Sequence, residues 1–118
     1  MQTNIYGEML ENCSKAPLSG FYRDGMCRTS PQDFGNHSVC AIVTDEFLIF
    51  SKKAGNDLIT PMPEFHFAGL KAGDRWCLCA TRWLEAYHAG VAPQVYAKAT
   101  SNKALEIIDM EILKPYCM

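Results

Sequence analysis

The feature that most constrains the fold is an eleven-residue stretch, residues 73–83, which contains both tryptophans and two of the six cysteines. Within it an apolar run of strand length meets Thr81, a residue type that caps helices, so the pattern predicts a strand that runs into a helix. Side chains two positions apart share a strand face, which places Cys77 with Cys79 and Trp76 on the opposite face. Because both faces are apolar, we expect this strand to lie in the middle of a sheet.

The whole chain, residues 1–118, predicts a single α+β domain in which three helices pack on a small mixed β-sheet. Strands are predicted over 38–43, 75–80 and 94–99, and helices over 45–54, 82–89 and 109–116. Residues 100–103 predict a turn that leads into a strand or a short helix over 104–108. A helix joins the first two strands, so we expect them to be parallel if they are adjacent.

Residues 1–37 predict a long irregular N-terminal arm. Glycine or proline occurs at six positions in this segment, which favours turns and coil over regular elements. So long an irregular segment in a small domain has to lie across the core, and such segments are often functional loops.

Composition limits the partners that the chain can have. A hydrophobic content of 48% with 20% charged residues is typical of a globular domain, and the net charge of −2 gives no general attraction to nucleic acid or to anionic membranes. No apolar segment is long enough to span a membrane, and the N-terminus lacks the basic flank and apolar core of a signal peptide. We therefore expect a cytoplasmic protein with neither nucleic acid nor membrane as a partner.

The six cysteines have three interpretations. Because the cytosol is reducing, we expect all six to be reduced thiols, which leaves metal ligands, reactive thiols or small buried residues. Cysteine sulfur and histidine nitrogen together suit tetrahedral zinc, although no cofactor is the preferred expectation and none of the ligands is firm. The candidate metal ligands are Cys13, Cys27, Cys40, Cys77, Cys79 and His37.

The four arginines lie in two motif-like segments, whereas the seven lysines are scattered. Arginine offers a rigid fork suited to carboxylate or phosphate, so Arg23 and Arg75, with Asp24, are candidate ligand-binding residues for an anionic small molecule. Alternatively, Arg23 pairs with Asp74 and Arg75 with Asp24, which would hold the arm on the sheet. We predict that these four side chains come together, and that a guanidinium left facing a cavity marks an anion site. The candidate catalytic residues are His37, Cys77 and Asp74.

Five motifs give the chain a family resemblance, in the order Gly20–Cys27, His37–Ala41, Thr44–Leu48, Gly55–Leu58 and Gly73–Ala80. They resemble the small bacterial family catalogued as domain of unknown function 2237, and the resemblance covers nearly the whole chain. The chain departs from the family at Met26, where a second cysteine is frequent, and at Ser101, where a histidine is usual. Both are therefore poor candidates for essential ligands or bases. The resemblance implies the domain boundaries and a bacterial, cytoplasmic setting, and it implies no chemistry.

Three functional hypotheses follow. The first is a small cytoplasmic enzyme or small-molecule binder whose site lies between the arm and the strand 75–80. The second is a non-catalytic binding or interaction module in which the same arginine, aspartate, cysteine and histidine residues only hold the arm. The third is a zinc-binding protein. A cavity with convergent polar groups would favour the first, and a solid core beneath the arm would favour the second.

Overall fold

The computed structural model describes residues 2–118 and has three α-helices and three strands in that range. In chain order they are β1 (Val39–Ile42), α1 (Asp45–Lys53), β2 (Arg75–Leu78), α2 (Ala80–His88), β3 (Gln94–Val95) and α3 (Met110–Leu113). Short 3-10 helices occupy Pro63–Phe65, Ala97–Ala99, Asn102–Glu106 and Lys114–Tyr116. The α+β class is confirmed. Among residues 2–118, no helix has the length and hydrophobicity that crossing a membrane requires.

The first helix lies where its capping residues predict it. The Thr44 hydroxyl accepts a hydrogen bond from the Phe47 amide at 3.1 Å, which satisfies a free N–H of the first turn. At the other end Gly55 follows the last turn with φ of +98°, a conformation that glycine adopts without steric cost. The third helix is likewise capped, because Asp109 accepts from the Glu111 amide at 2.9 Å.

The second helix begins two residues earlier than predicted. Ala80 is its first residue and Thr81 lies within its first turn, so the assignment of Thr81 as the cap is wrong. Since β2 ends at Leu78, Cys79 is the residue between strand and helix and does not share a strand face with Cys77. The buried face of α2, with Trp83 at its centre, packs on the core and stabilises this earlier start.

The C-terminal third departs further from prediction. The strand expected over 94–99 stops at Val95, and residues 97–99 and 102–106 form 3-10 turns. The helix expected over 109–116 is α-helical only to Leu113, where a 3-10 turn containing Pro115 follows. Proline has no N–H for an α-helical hydrogen bond, which explains the change of helix type.

The sheet is antiparallel with the order β2–β1–β3, so the expected parallel pairing and mixed sheet are wrong. Helix α1 and the loop 54–74 join β1 to β2 and bring the chain back to the end of β1. There the Gly73 amide donates to the Val43 carbonyl at 2.9 Å, which starts β2 beside the end of β1. Consequently β1 is the central strand, and β2 is an edge strand rather than the middle one.

The two faces of the β1–β2 ladder have different contacts, as the alternation in sequence predicts. Val39, Ala41, Trp76 and Leu78 pack into the main apolar core with the helices, whereas Cys40 and Cys77 belong to a second buried cluster beneath the arm. The apolar character of both faces of β2 therefore reflects helices on one side and the arm on the other. It does not reflect a central position in the sheet.

The arm lies across the cysteine-bearing face and is held by hydrogen bonds as well as by packing. The Ser19 hydroxyl accepts the Cys77 amide of β2 at 2.7 Å, and the Glu11 amide donates to the Lys98 carbonyl at 3.0 Å. Nearer the N-terminus, the Asn102 amide donates to the Thr3 carbonyl at 2.8 Å. The predicted arm across the core is thus present.

Candidate functional site

A cleft of about 240 Å³ lies between the arm and β2, at the place predicted for a site. Its lining includes four residues that sequence analysis singled out, namely Arg23, His37, Cys77 and Cys79. The other six candidates do not line it, namely Asp24, Asp74, Arg75, Cys13, Cys27 and Cys40. The structure therefore brings together one cation, one imidazole and two sulfurs, and separates them from the predicted carboxylates.

Two disulfides, Cys13–Cys40 and Cys27–Cys77, correct the prediction of six reduced thiols. Among residues 2–118, which include every cysteine, only Cys79 and Cys117 are free. The antiparallel register places Cys40 and Cys77 directly opposite each other on the arm-facing side of the sheet. The arm crosses this side, and its two cysteines meet those of the sheet. The sequence prediction inferred redox state from compartment alone, and cysteine spacing carries no information on pairing.

The two bridges lie against each other. The sulfurs of Cys13, Cys27 and Cys77 are all within 4.8 Å of one another and all three residues are buried. Cys40 is bonded to Cys13 and is fully buried. Of the six candidate metal ligands, these four form what we call the four-cysteine cluster. Cys79 and His37 line the cleft instead.

His37 is held by a buried carboxylate that sequence analysis missed. Its Nδ1 lies 2.6 Å from Asp33 Oδ1, and its backbone amide donates to Asp33 Oδ2 at 2.9 Å. The Thr29 hydroxyl also donates to Asp33 Oδ2, at 2.8 Å. The side chain of Asp33 is 1% exposed and that of His37 is 39% exposed. Burial raises the pKa of Asp33, but the hydrogen bonds from His37 and Thr29 outweigh it, so the pKa is lowered overall.

The imidazole is also fixed by its neighbours in the arm. The Phe21 ring stacks on it with an interplanar angle of 22°, and a side chain at Gly35 would collide with the ring carbon Cε1, at 2.6 Å. With Nδ1 facing the carboxylate, Nε2 is the nitrogen left for acid–base chemistry. The only sequence signal for Asp33 was its place four residues before His37, a spacing that is not specific.

Cys79 presents a free, half-buried thiol to the same cleft. Its sulfur lies 3.0 Å from the Thr81 hydroxyl. The next amide, that of Ala80, donates to the Asn36 carbonyl at 2.9 Å, which fixes the start of α2 beside the segment that carries His37. The cleft therefore contains a thiol and an oriented imidazole, a combination that suits nucleophilic chemistry.

The predicted ion pairs between the arm and β2 do not form. Asp24 pairs with Arg28, Nε to Oδ2 at 2.8 Å, and Asp74 accepts the Lys71 amide at 3.0 Å. Burial raises the pKa of Asp24, but the hydrogen bonds from Arg28 and from the Met26 amide lower it overall.

Both arginines stack on aromatic rings instead. The guanidinium carbon of Arg23 is 5.2 Å from the Trp76 ring centroid, and that of Arg75 is 4.2 Å from the Tyr96 centroid. Cation–π contacts replace the predicted salt bridges, and Arg23 has no carboxylate partner among residues 2–118.

The fold and the site together define a disulfide-containing α+β domain with a small cleft that holds a free thiol and a carboxylate-bound histidine. The chain belongs to the family described as uncharacterized protein conserved in bacteria (DUF2237), whose model matches residues 3–117. The resemblance carried by the five sequence motifs is thereby confirmed. A comparison with curated proteins finds no match.

Proposed function

We propose that the protein is a small enzyme or small-molecule binder that takes an anionic, thiol-reactive compound into the cleft between the arm and β2. The observation that carries this proposal is that one cleft is lined by Arg23, His37 and Cys79. The cytoplasmic setting is part of the same proposal, as is the absence of nucleic acid and membrane among the partners.

Arg23 suits recognition of a negative charge. Its guanidinium stacks on Trp76, and the one hydrogen bond that it makes among residues 2–118, to the Gly20 carbonyl, is long at 3.4 Å. Stacking occupies one face of the planar group and leaves edge N–H groups for a carboxylate or phosphate. The cleft volume of about 240 Å³ is small, which favours a ligand of metabolite size.

The thiol and the imidazole have complementary roles in this proposal. Nε2 of His37 accepts the Cys79 proton, and the thiolate attacks an electrophilic carbon of the bound compound, so that a carbon–sulfur bond forms as the leaving group departs with its bonding electron pair. Asp33 keeps the ring oriented through its contact with Nδ1. Cys77, the other cysteine of the cleft, is bonded to Cys27 and does not supply a free thiol.

Charge-selective alkylation tests this proposal with no knowledge of the substrate. Iodoacetate and iodoacetamide differ in charge, and peptide mass spectrometry measures their rates separately at Cys79 and at Cys117. Cys117 is the internal control, because it is also free and half-buried, and burial raises the pKa of its thiol. We expect the ratio of iodoacetate to iodoacetamide rates to be higher at Cys79. We expect Arg23→Gln to lower it about fivefold, the effect of an ion pair of about 1 kcal/mol.

Two further outcomes complete the test. His37→Gln should slow both reagents at Cys79 and leave Cys117 unchanged, because neutral glutamine accepts no proton from the thiol. Equal rate ratios at the two cysteines that do not respond to Arg23→Gln would refute an anion site.

A non-catalytic module is the second candidate, and one observation favours it for part of the predicted site. Asp24, Asp74 and Arg75 are all engaged within the protein, by Arg28, the Lys71 amide and the Tyr96 ring. In this candidate they only hold the arm, and Cys79 would alkylate at the same rate in Arg23→Gln and His37→Gln as in the wild type.

A further inference from the structure

The four-cysteine cluster has dimensions close to those of a metal–thiolate site. The sulfurs of Cys13, Cys27 and Cys77 lie within 4.8 Å of one another. In a tetrahedral zinc site with Zn–S bonds of about 2.3 Å, the sulfurs are about 3.8 Å apart. The sulfurs of Cys27 and Cys77, bonded to each other in the disulfide, therefore have to separate after reduction, while the Cys13 sulfur needs to approach them by no more than about 1 Å.

Cys40 supplies the fourth sulfur. It is bonded to Cys13 and lies opposite Cys77 in the register of β1 and β2. Its sulfur is outside the group of three that lie within 4.8 Å of one another, so a change of side-chain rotamer, once the bond to Cys13 opens, has to bring it to the other sulfurs.

Hydrogen bonds donated by their backbone amides hold Cys13, Cys40 and Cys77 independently of the disulfides. The Cys13 amide donates to the Gly25 carbonyl at 2.7 Å, which joins the two cysteine-bearing segments of the arm. The Cys40 amide donates to the Thr100 hydroxyl at 3.1 Å, and the Cys77 amide to the Ser19 hydroxyl at 2.7 Å. Reduction of both bridges consequently leaves four thiols close together on a supported backbone.

We propose that the four-cysteine cluster, when both disulfides are reduced, binds one thiophilic metal ion through Cys13, Cys27, Cys40 and Cys77. Soft thiolate ligands in a tetrahedral set favour Zn²⁺ or Cu⁺ over hard cations. Binding also compensates for the burial of several thiolates, since all four residues are at most 4% exposed. The Arg75 guanidinium contributes positive charge nearby, because it stacks on Tyr96, which packs against the cluster.

The two states interconvert by balanced thiol chemistry. Each bridge takes two electrons and two protons from one molecule of a dithiol reductant, which leaves as a disulfide. A divalent metal ion then displaces the four thiol protons to solvent. Oxidation by a disulfide reverses both steps and releases the metal. The proposal is independent of the cleft chemistry, since neither Cys79 nor His37 is a ligand.

The test compares the oxidised protein with protein reduced by dithiothreitol and freed of it under anaerobic conditions. Zn²⁺ is titrated in competition with a chromophoric chelator, and the metal retained after desalting is counted. We expect one zinc per reduced chain and none per oxidised chain. With Co²⁺ we expect the intense sulfur-to-metal band and visible spectrum of a tetrahedral thiolate site. Absence of stoichiometric metal in the reduced protein would overturn the proposal.

The ligands are identified by variants and by protection. Cys13→Ser and Cys27→Ser should each weaken zinc binding at least tenfold, whereas Cys117→Ser, the matched control, should bind as the wild type does. Because a cluster variant can fail to fold, alkylation of zinc-loaded wild-type protein provides a second readout. Zinc should protect Cys13, Cys27, Cys40 and Cys77 and leave Cys79 reactive. Protection of Cys79 in place of the cluster, or unweakened binding in the Cys13→Ser and Cys27→Ser variants, would contradict the assignment.

Discussion

Reduction of the two disulfides is expected to destabilise the domain strongly even where no native packing contact is lost. The Cys13–Cys40 bridge closes a loop of 27 residues and the Cys27–Cys77 bridge closes one of 50 residues. Each cross-link limits the conformations of the unfolded chain, so its removal raises the entropy of the unfolded state. The loss of stability on reduction therefore requires no loss of native contacts.

The magnitude follows from the loop lengths. The loop-closure relation gives about 3.5 kcal/mol for the shorter loop and about 4 kcal/mol for the longer loop at 25 °C. Measured effects are usually about 2–4 kcal/mol for each bridge, so we expect reduction to lower the free energy of unfolding by about 4–8 kcal/mol. A domain of this size has about 5–15 kcal/mol in total, so the reduced protein should be marginally stable.

Urea unfolding followed by tryptophan fluorescence measures this difference. Oxidised and dithiol-reduced protein are compared in the presence of a chelator, which keeps metal from the reduced cluster. We expect a lower midpoint and a steeper dependence on urea for the reduced form, because an unfolded chain without cross-links exposes more surface. Cys117→Ser is the control and should shift neither curve. Equal midpoints and equal slopes for the two redox forms would refute the reasoning.

Three further variants, one of them with a matched glycine control, test other parts of the structure by urea unfolding. Gly69→Ala should cost more than about 2 kcal/mol, because Gly69 has φ of +83° and an added Cβ would collide with the Ile59 carbonyl oxygen. Gly55→Ala, with φ of +98° but open space around it, should cost only about 1 kcal/mol; equal losses would contradict the collision. Asp33→Asn should cost about 2 kcal/mol at pH 7 through weakened hydrogen bonds. The pKa of Asp33 is lowered on folding, so its stabilisation is present above its unfolded pKa and is lost as the pH falls through its folded pKa. The gap between wild type and Asp33→Asn should therefore close below about pH 4, and a constant gap would argue against an ionised carboxylate. Trp83→Phe should cost about 2–3 kcal/mol, because Trp83 is fully buried and its Nε1 donates to the Pro93 carbonyl at 3.0 Å; a loss below about 0.5 kcal/mol would show that this contact is dispensable.

Features set by near neighbours in the chain could be predicted from the sequence. Thr44 and Asp109 cap helices because a short polar side chain reaches amides two or three residues ahead. The opposite orientation of Trp76 and Cys77 follows from the period of a strand. In the same way, the pairing of Asp24 with Arg28 is a local contact over four residues that sequence analysis overlooked.

Features set by the path of long loops could not be predicted. The direction of β2 depends on the loop 54–74, whose composition gives no indication of where it leads. The pairing of Cys13 with Cys40 depends on how the arm crosses the sheet. Because the arm is irregular, its sequence has no periodic pattern of apolar residues that would reveal this path.

The residues of the candidate site divide in the same way, into those that local sequence features identify and those that depend on the folded structure. Arg23, His37 and Cys77 were selected because they lie in dense motifs, and the structure places all three at one cleft. Asp33 was overlooked because the importance of a carboxylate depends on burial, which a polar segment does not reveal.

The Ser19 hydroxyl covers an edge of the sheet, and this protection affects the solubility of the protein. This hydroxyl accepts the hydrogen bond of the Cys77 amide, which points away from β1 at the free edge of β2. The C-terminal residues cover β3 at the other edge, where the Met118 amide donates to the Val95 carbonyl at 2.9 Å. An uncovered edge strand is a template for pairing with another chain, and here the arm that covers β2 is tied down by the two disulfides. In reduced, metal-free protein only hydrogen bonds and packing hold the arm, and each local opening exposes a strand edge of one molecule to that of the next. Prolonged reduction without metal should therefore promote edge-to-edge association before the core unfolds.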